Sequence, residues 1–479
     1  MPTAPPTDAE PHVLAKSLRW WDGVALTLSL PAALFVSLGY SVGTLGAWAA
    51  LLLWGLIAAM AVLHNRLYAE MGAMFSDKSG GIALYASEAW RTRLPALAPL
   101  ATYAYWFAWA TAPAIWGLTV AQILTTQCWP EAHATLDLGL LRLELPQLVA
   151  LAVALLSWAL AMVQLRFAMG LMTLAGLGLA GLVLLYGAAA LLGPHWSAAS
   201  FGWRLPAGAT GLRHALAWLF VMAWSAYAVE AAASFIPEFR DTVADTRRAL
   251  RVSALWLLGV CLLAPLAITG LVGEPLMGQQ PDGFLQRGIQ LLFGGGAGLV
   301  TGVLVFGVLL LSVMGTADAG RALYQSACDG LTVRQFARLN RHGVPARAIT
   351  LQLLINGVLV LVVGNALAVI VAGNVGYVLA HLLAVSGFVV LRKDRPTAPR
   401  PIRLGPAWPV VALLLTGFDA VILVAGLTGA SITGYGGAKE VAIALGVLAL
   451  SQGLYQVRRW QDRHRHPADA PPRGQPLPP

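Results

Sequence analysis

The chain has 479 residues, of which 58% are hydrophobic and only 11% charged, with a formal net charge of +9. A soluble domain carries about 25% charged residues, so this composition excludes a soluble enzyme, a coiled coil and a disordered chain. It describes a polytopic helical membrane protein.

Apolar runs such as 149–163 and 299–314, taken with their flanks, are continuous rather than alternating. Barrel strands alternate over about 10 residues, and lipid offers no hydrogen bonds to an open strand, so these runs are read as helices. The fold class is therefore all-α. Twelve spans are expected, beginning near Trp20, Gly46, Pro95, Pro146, Met169, Leu212, Val252, Gly294, Ala348, Ala366, Ala407 and Ala438.

Charge sets the expected orientation. With the N-terminus inside, Arg142, Arg204, Arg213, Arg287 and Lys439 fall outside and the other 26 of the 31 Lys and Arg fall inside. That asymmetry obeys the positive-inside rule. It accounts for the basic charge without a nucleic-acid partner. Both termini are expected in the cytoplasm, and the lipid bilayer is the surrounding partner. Residues 1–16 lack the basic-then-apolar pattern of a cleaved signal, so no cleavage is expected. The stretch 331–339 reads as a short amphipathic half-helix at the membrane surface. The Pro-rich tail is expected to be disordered.

Three scattered cysteines, Cys128, Cys261 and Cys328, form no CxxC pair and suggest neither a disulfide framework nor a zinc site. No phosphate-binding loop or HExxH motif is present. Neither an enzymatic activity nor a cofactor or metal is expected.

In the first span, Ser29, Leu30, Pro31, Ala32 and Ala33 place a proline near mid-bilayer. Proline has no N–H and obstructs the preceding turn, so the helix should kink or break there. Such breaks line cavities or are buried in protein; a simple kink is the alternative. In the third span Tyr103, Tyr105, Trp106 and Trp109 cluster, either as gating or stacking residues or as packing. In the sixth span Trp224, Ser225, Ala226, Tyr227 and Ala228 lead to Glu230 at about mid-depth. An intramembrane acid is a natural proton carrier, the alternative being a hydrogen-bonded packing acid. Asp318 is expected to pair locally with Arg321, and Arg66 with Glu70. Asp419 lies deep in the eleventh span and is expected to face another helix or a partner subunit. His64 and His381 read as packing residues.

Four stretches, in order, resemble the amino acid–polyamine–organocation permeases. They are Ala69 to Gly81 with Tyr85 and Glu88; Trp224 to Glu230 with Pro237, Glu238, Arg247 and Arg248; Arg321 to Gly330 with Phe336, Arg338 and Pro345; and Leu391 to Arg403. The resemblance covers nearly the whole chain. It implies two inverted five-helix repeats (about 18–193 and 210–391), with broken helices one and six, and two peripheral helices (about 407–457). Together they make a transporter domain over 18–460, flanked by terminal segments 1–17 and 461–479.

The same resemblance implies a secondary transporter of amino acids working by alternating access, as a proton-coupled symporter or an exchanger. The alternatives are an amine or polyamine permease on the same fold, or a transport-dead sensor or channel. The implied substrate site comprises Ser29, Leu30, Pro31, Ala32, Ala33, Ala108, Trp109, Trp224, Ser225, Ala226, Tyr227 and Ala228. Tyr105, Trp224 and Tyr227 would gate it, and Glu230 would couple the proton. A homodimer is compatible with this reading. The family's glycine-rich helix-one motif is replaced here by Ser29-Leu-Pro-Ala-Ala33. The helix-five lysine of some members has no counterpart, since no Lys or Arg lies between Arg166 and Arg204.

Overall fold

A computed structural model describes residue 16 and residues 18–464, apart from residues 79, 130, 133, 138, 140, 141, 163 and 164. The N-terminal segment for which no cleavage is expected and the Pro-rich tail lie almost wholly outside the described residues. Among the described residues nine helices are long and apolar enough to cross a membrane, including Trp20–Leu45, Ala47–Met74, Leu97–Gln127, Gly208–Glu238 and Ala366–Asp394. Three shorter apolar helices, Leu145–Ala161, Gly176–Leu192 and Ala346–Val362, occupy the remaining expected spans. The protein is an all-α polytopic membrane protein. One short antiparallel hairpin, Thr135–Asp137 with Arg142–Glu144, precedes the fourth span and was not expected from the sequence. The expected half-helix over 331–339 is a single 3-10 turn, Arg334–Ala337.

Helix interruptions position the site. The first span runs as Trp20–Thr27, a 3-10 segment Leu30–Ala33, then Leu34–Leu45. Pro31 cannot donate to the turn before it. Ala32 N–H instead bonds the Ser29 carbonyl at 3.0 Å, a 3-10 contact. The Leu28 carbonyl, which an α-helix would pair with Ala32, accepts from Trp256 Nε1 of the seventh span at 3.0 Å. The sixth span changes likewise, from α-helix Gly208–Tyr227 to 3-10 helix Ala228–Glu238. The expected breaks thus fall where proline and small residues placed them. Their form is milder than an unwound segment: Ser29 (φ −83°, ψ −20°) and Tyr227 (φ −80°, ψ −17°) keep right-handed helical backbone.

The third span is also interrupted, between Leu97–Ala110 and Ala112–Gln127. Pro113 removes a donor here, and Asn356 of the ninth span fills in. Its Nδ2 donates to the Ala110 carbonyl and its Oδ1 accepts from Ala114 N–H, both at 2.7 Å. Against this span the tenth packs backbone to backbone. A Cβ on Gly376 would lie 2.5 Å from the Ala104 carbonyl, so only glycine permits the approach.

Polar groups gather at the two ends of the bundle, as the charge sorting anticipates. At one end Glu70 binds Arg392 (2.6 Å), Arg400 (3.3 Å) and the Leu404 N–H (2.7 Å). It does so in place of the expected Arg66: Arg392 of the tenth span meets both carboxylate oxygens at once, and Arg400 and the Leu404 N–H add to it. Nearby, Glu88 on the short helix Gly81–Trp90 meets Lys78, Arg91 and Arg395. At the other end Glu274 joins Arg204 (2.7 Å) to the Ala47 N–H (2.8 Å), and Tyr40 donates to Asp282 (2.6 Å).

Glu70 is 2% exposed. Removing one partner of a buried pair strands the other charges, so Glu70→Ala is expected to destabilise the fold by about 3 kcal/mol, read from thermal unfolding in detergent. For Glu88, burial acts to raise the carboxyl pKa, but bonds from Lys78 and Arg91 outweigh it and hold the group at about 2. Its stabilising contribution is therefore complete above the ordinary value of 4.5 and fades as pH falls toward about 2. Hydrogen exchange across residues 78–93 should stay slow, after correction for intrinsic rates, down to about pH 4 and be raised at neutral pH by Glu88→Gln.

Candidate functional site

The interruptions of the first and sixth spans meet at one cavity, lined by Leu30, Ala33, Ala108, Trp109, Trp116, Trp224, Ala228, Leu311, Met314 and Tyr377. Trp224 and Ala228 are four residues apart, hence on one helical face. The water-reachable volume is about 20 Å³, room for about one or two waters. A larger solute enters only when the walls move.

Six of the residues that the family resemblance placed at the substrate site line this cavity: Leu30, Ala33, Ala108, Trp109, Trp224 and Ala228. Ser29, Pro31, Ala32, Ser225 and Ala226 are buried beside it without lining it. Tyr227 turns elsewhere, donating to Asp419 Oδ1 at 2.9 Å. Trp116, Leu311, Met314 and Tyr377 were not singled out from the sequence. Trp116 packs 5.8 Å from Trp224, ring to ring.

Tyr377 connects the cavity to Glu230. Its hydroxyl donates to Glu230 Oε1 at 3.0 Å, and both residues are buried. Glu230 Oε2 has no hydrogen-bond partner among the described residues. Tyr105 and Trp109 are further polar neighbours of this carboxyl. Trp109 lines the cavity, and its indole N–H makes no hydrogen bond among the described residues. On the far side, a Cβ on Gly81 would lie 3.7 Å from Glu230 Oε2. The acid thus stands between the cavity and the helix Gly81–Trp90.

Asp318 makes no ion pair with Arg321 among the described contacts. Instead it accepts from Tyr105 at 3.5 Å. The Arg321 charge still acts on Asp318, from beyond ion-pair distance.

The two histidines are not isolated packing residues. His64 Nε2 meets Asp419 Oδ2 at 2.9 Å, and His381 Nδ1 meets the Tyr68 hydroxyl at 2.7 Å. The His381 ring lies 4.5 Å from Tyr227, 4.6 Å from Tyr377 and 5.6 Å from His64. Two helical i, i+4 pairs build this cluster, His64 with Tyr68 and Tyr377 with His381. That spacing was visible in the sequence; the facing of the two helices was not.

Losing the donor to a buried carboxylate costs about 1–3 kcal/mol. Tyr377→Phe is expected to lower the unfolding temperature accordingly. An unchanged melting curve would show that the Tyr377–Glu230 contact contributes nothing to the fold.

No curated protein matches the sequence. A family model described as amino acid permease matches residues 18–437. This chain therefore belongs to the amino acid permeases of the amino acid–polyamine–organocation superfamily, a family of membrane transporters of small molecules.

Proposed function

We propose that the protein is a secondary transporter that carries amino acids across the cytoplasmic membrane by alternating access, coupled to protons as a symporter or exchanger. The observation that carries this reading is the cavity where the two interrupted spans meet, joined through Tyr377 to the buried acid Glu230. In this reading both termini are cytoplasmic, and spans one to five and six to ten form the two inverted repeats.

The cavity walls are apolar and aromatic, which suits an uncharged amino acid side chain. The substrate carboxylate would be met by the Trp109 indole N–H and by the positive end of the helix that follows Ala33. Carbonyls near residues 225–228 would receive the ammonium. Trp224 and Trp116 would part to admit the solute and close over it, since the resting cavity is too small to hold it. Glu230 would carry the proton. Tyr377 touches both the cavity and Glu230, so a change in charge on the acid would be felt by the bound solute.

An amine permease is the reading to test against, because indole faces also attract cations. A thermal-shift panel on the purified chain separates the two. Amino acids should stabilise the protein and compete with one another for uptake, while their decarboxylated amines should do neither; the opposite pattern would overturn the carboxylate subsite. Trp224→Ala should weaken apparent affinity by about tenfold, the loss of one well-packed aromatic contact of about 1.4 kcal/mol. Glu230→Gln should leave a folded protein whose uptake no longer varies with pH. A mutant that retains the wild-type pH profile would remove Glu230 from coupling.

A further inference from the structure

The sixth span changes from α to 3-10 helix at Tyr227, and the group that holds Tyr227 belongs to the eleventh span. Asp419 is fully buried. Its Oδ1 accepts from the Tyr227 hydroxyl at 2.9 Å, and its Oδ2 lies 2.9 Å from His64 Nε2. His64 is 1% exposed, and its Nδ1 lies 2.7 Å from the Met60 carbonyl.

These contacts favour one count of protons. A carbonyl oxygen only accepts, so His64 Nδ1 carries a hydrogen. The close contact between Nε2 and Oδ2 also needs a hydrogen, since two lone pairs at 2.9 Å repel. Either an imidazolium faces a carboxylate, or a neutral imidazole faces a carboxylic acid. In both arrangements the pair holds one proton more than a neutral His64 beside an ionised Asp419.

We propose that His64 and Asp419 form a proton-binding dyad, distinct from Glu230, whose bound proton latches the second and sixth spans to the eleventh. When the proton leaves to water, Asp419 is left charged against the bare Nε2 of a neutral imidazole. The two then separate, and Tyr227 is released from a fixed acceptor at the hinge of the sixth span. Binding of one proton restores the contact. The groups facing the dyad are Tyr68 on the second span, Tyr227 on the sixth and His381 on the tenth; behind His381 stands Tyr377, which binds Glu230. Among the described residues the hydrogen-bond partners of Asp419 are Tyr227 and His64, so a proton is the cation that joins these helices. Coupling of this latch to solute movement rests on the transport reading above; the latch itself does not.

Asparagine gives a sharp test. In Asp419→Asn the amide oxygen can still accept from Tyr227, and the amide nitrogen can donate to a neutral His64. The latch is then closed without a titratable proton. A purely structural role would be preserved by this near-isosteric change, whereas a proton-binding role would lose its pH dependence.

The measurement is hydrogen exchange of residues 224–239 in the purified full chain, corrected for the intrinsic rate at each pH. In wild type it should rise at least about threefold from the acid to the alkaline end of the range over which the fold persists, and in Asp419→Asn it should stay at the low-pH level throughout. Tyr227→Phe, which cuts the hinge from the dyad, should give exchange that is raised at both ends of that range. A wild-type profile that is flat with pH, or a pH response that persists in Asp419→Asn, would overturn the proposal. Uptake assays then separate this from the transport reading. A pH-dependent latch in a chain that moves no amino acid defeats transport and upholds the dyad. Active uptake together with a flat exchange profile does the reverse.

Discussion

Every departure from α geometry inside a bilayer frees a backbone group that lipid cannot satisfy. In this protein neighbouring helices supply the missing partners. Trp256 takes the Leu28 carbonyl beside Pro31. Asn356 bridges Ala110 and Ala114 beside Pro113. Asn374 of the tenth span adds a bond to the Phe220 carbonyl, inside the α-helix Gly208–Tyr227 and before its change of helix type. The interruptions of the first and third spans are therefore joints between helices as well as weak points within them. That is why the interruptions converge: a cavity wall can be irregular only where other spans cover its polar atoms.

The same constraint shapes the polar interior. Glu230 faces the tenth span through Tyr377, Asp419 faces the second and sixth through His64 and Tyr227, and Asp318 faces the third through Tyr105. None of these acids is paired with arginine, whereas Glu70, Glu88 and Glu274 near the helix ends all are. Arginine pairs hold the ends of the bundle with permanent charge. Hydroxyls and an imidazole hold its middle through hydrogen bonds. A transporter needs a firm frame and a yielding centre, and this division of partners provides both.

Much of the fold was legible in the sequence because lipid makes simple demands. Continuous apolar runs marked the spans, and Pro31 marked the first interruption. The site was legible only in part. Trp224 and Ala228 share a helical face and do line the cavity, but Tyr227, three residues on from Trp224, points to another helix. Trp116, Leu311 and Met314 lie in runs where nothing sets them apart from ordinary packing residues. His64 and His381 were misread because each is alone on its own span. Their partnership is a tertiary fact: it depends on the second, tenth and eleventh spans meeting, and no single-chain periodicity encodes it. Arg66 and Asp318 show the converse error. A neighbour at helical spacing was available in sequence, and a partner on another span proved better placed.

The eleventh span gains a role from these contacts that its position outside the two repeats does not suggest. It is lipid-facing along much of its length, with Val410, Leu413, Leu414 and Val424 exposed. Yet at Asp419 it offers a carboxylate to two spans of the core. An ionisable group at that depth is costly unless it is partnered, and a packing helix gains nothing by carrying one. Leucine at this position would seal the same face, but it would leave both the Tyr227 hydroxyl and the His64 imidazole with nothing to bind. The acid, the imidazole and the hydroxyl stand or fall together, and together they tie a helix facing lipid to the hinge of the helix that lines the cavity.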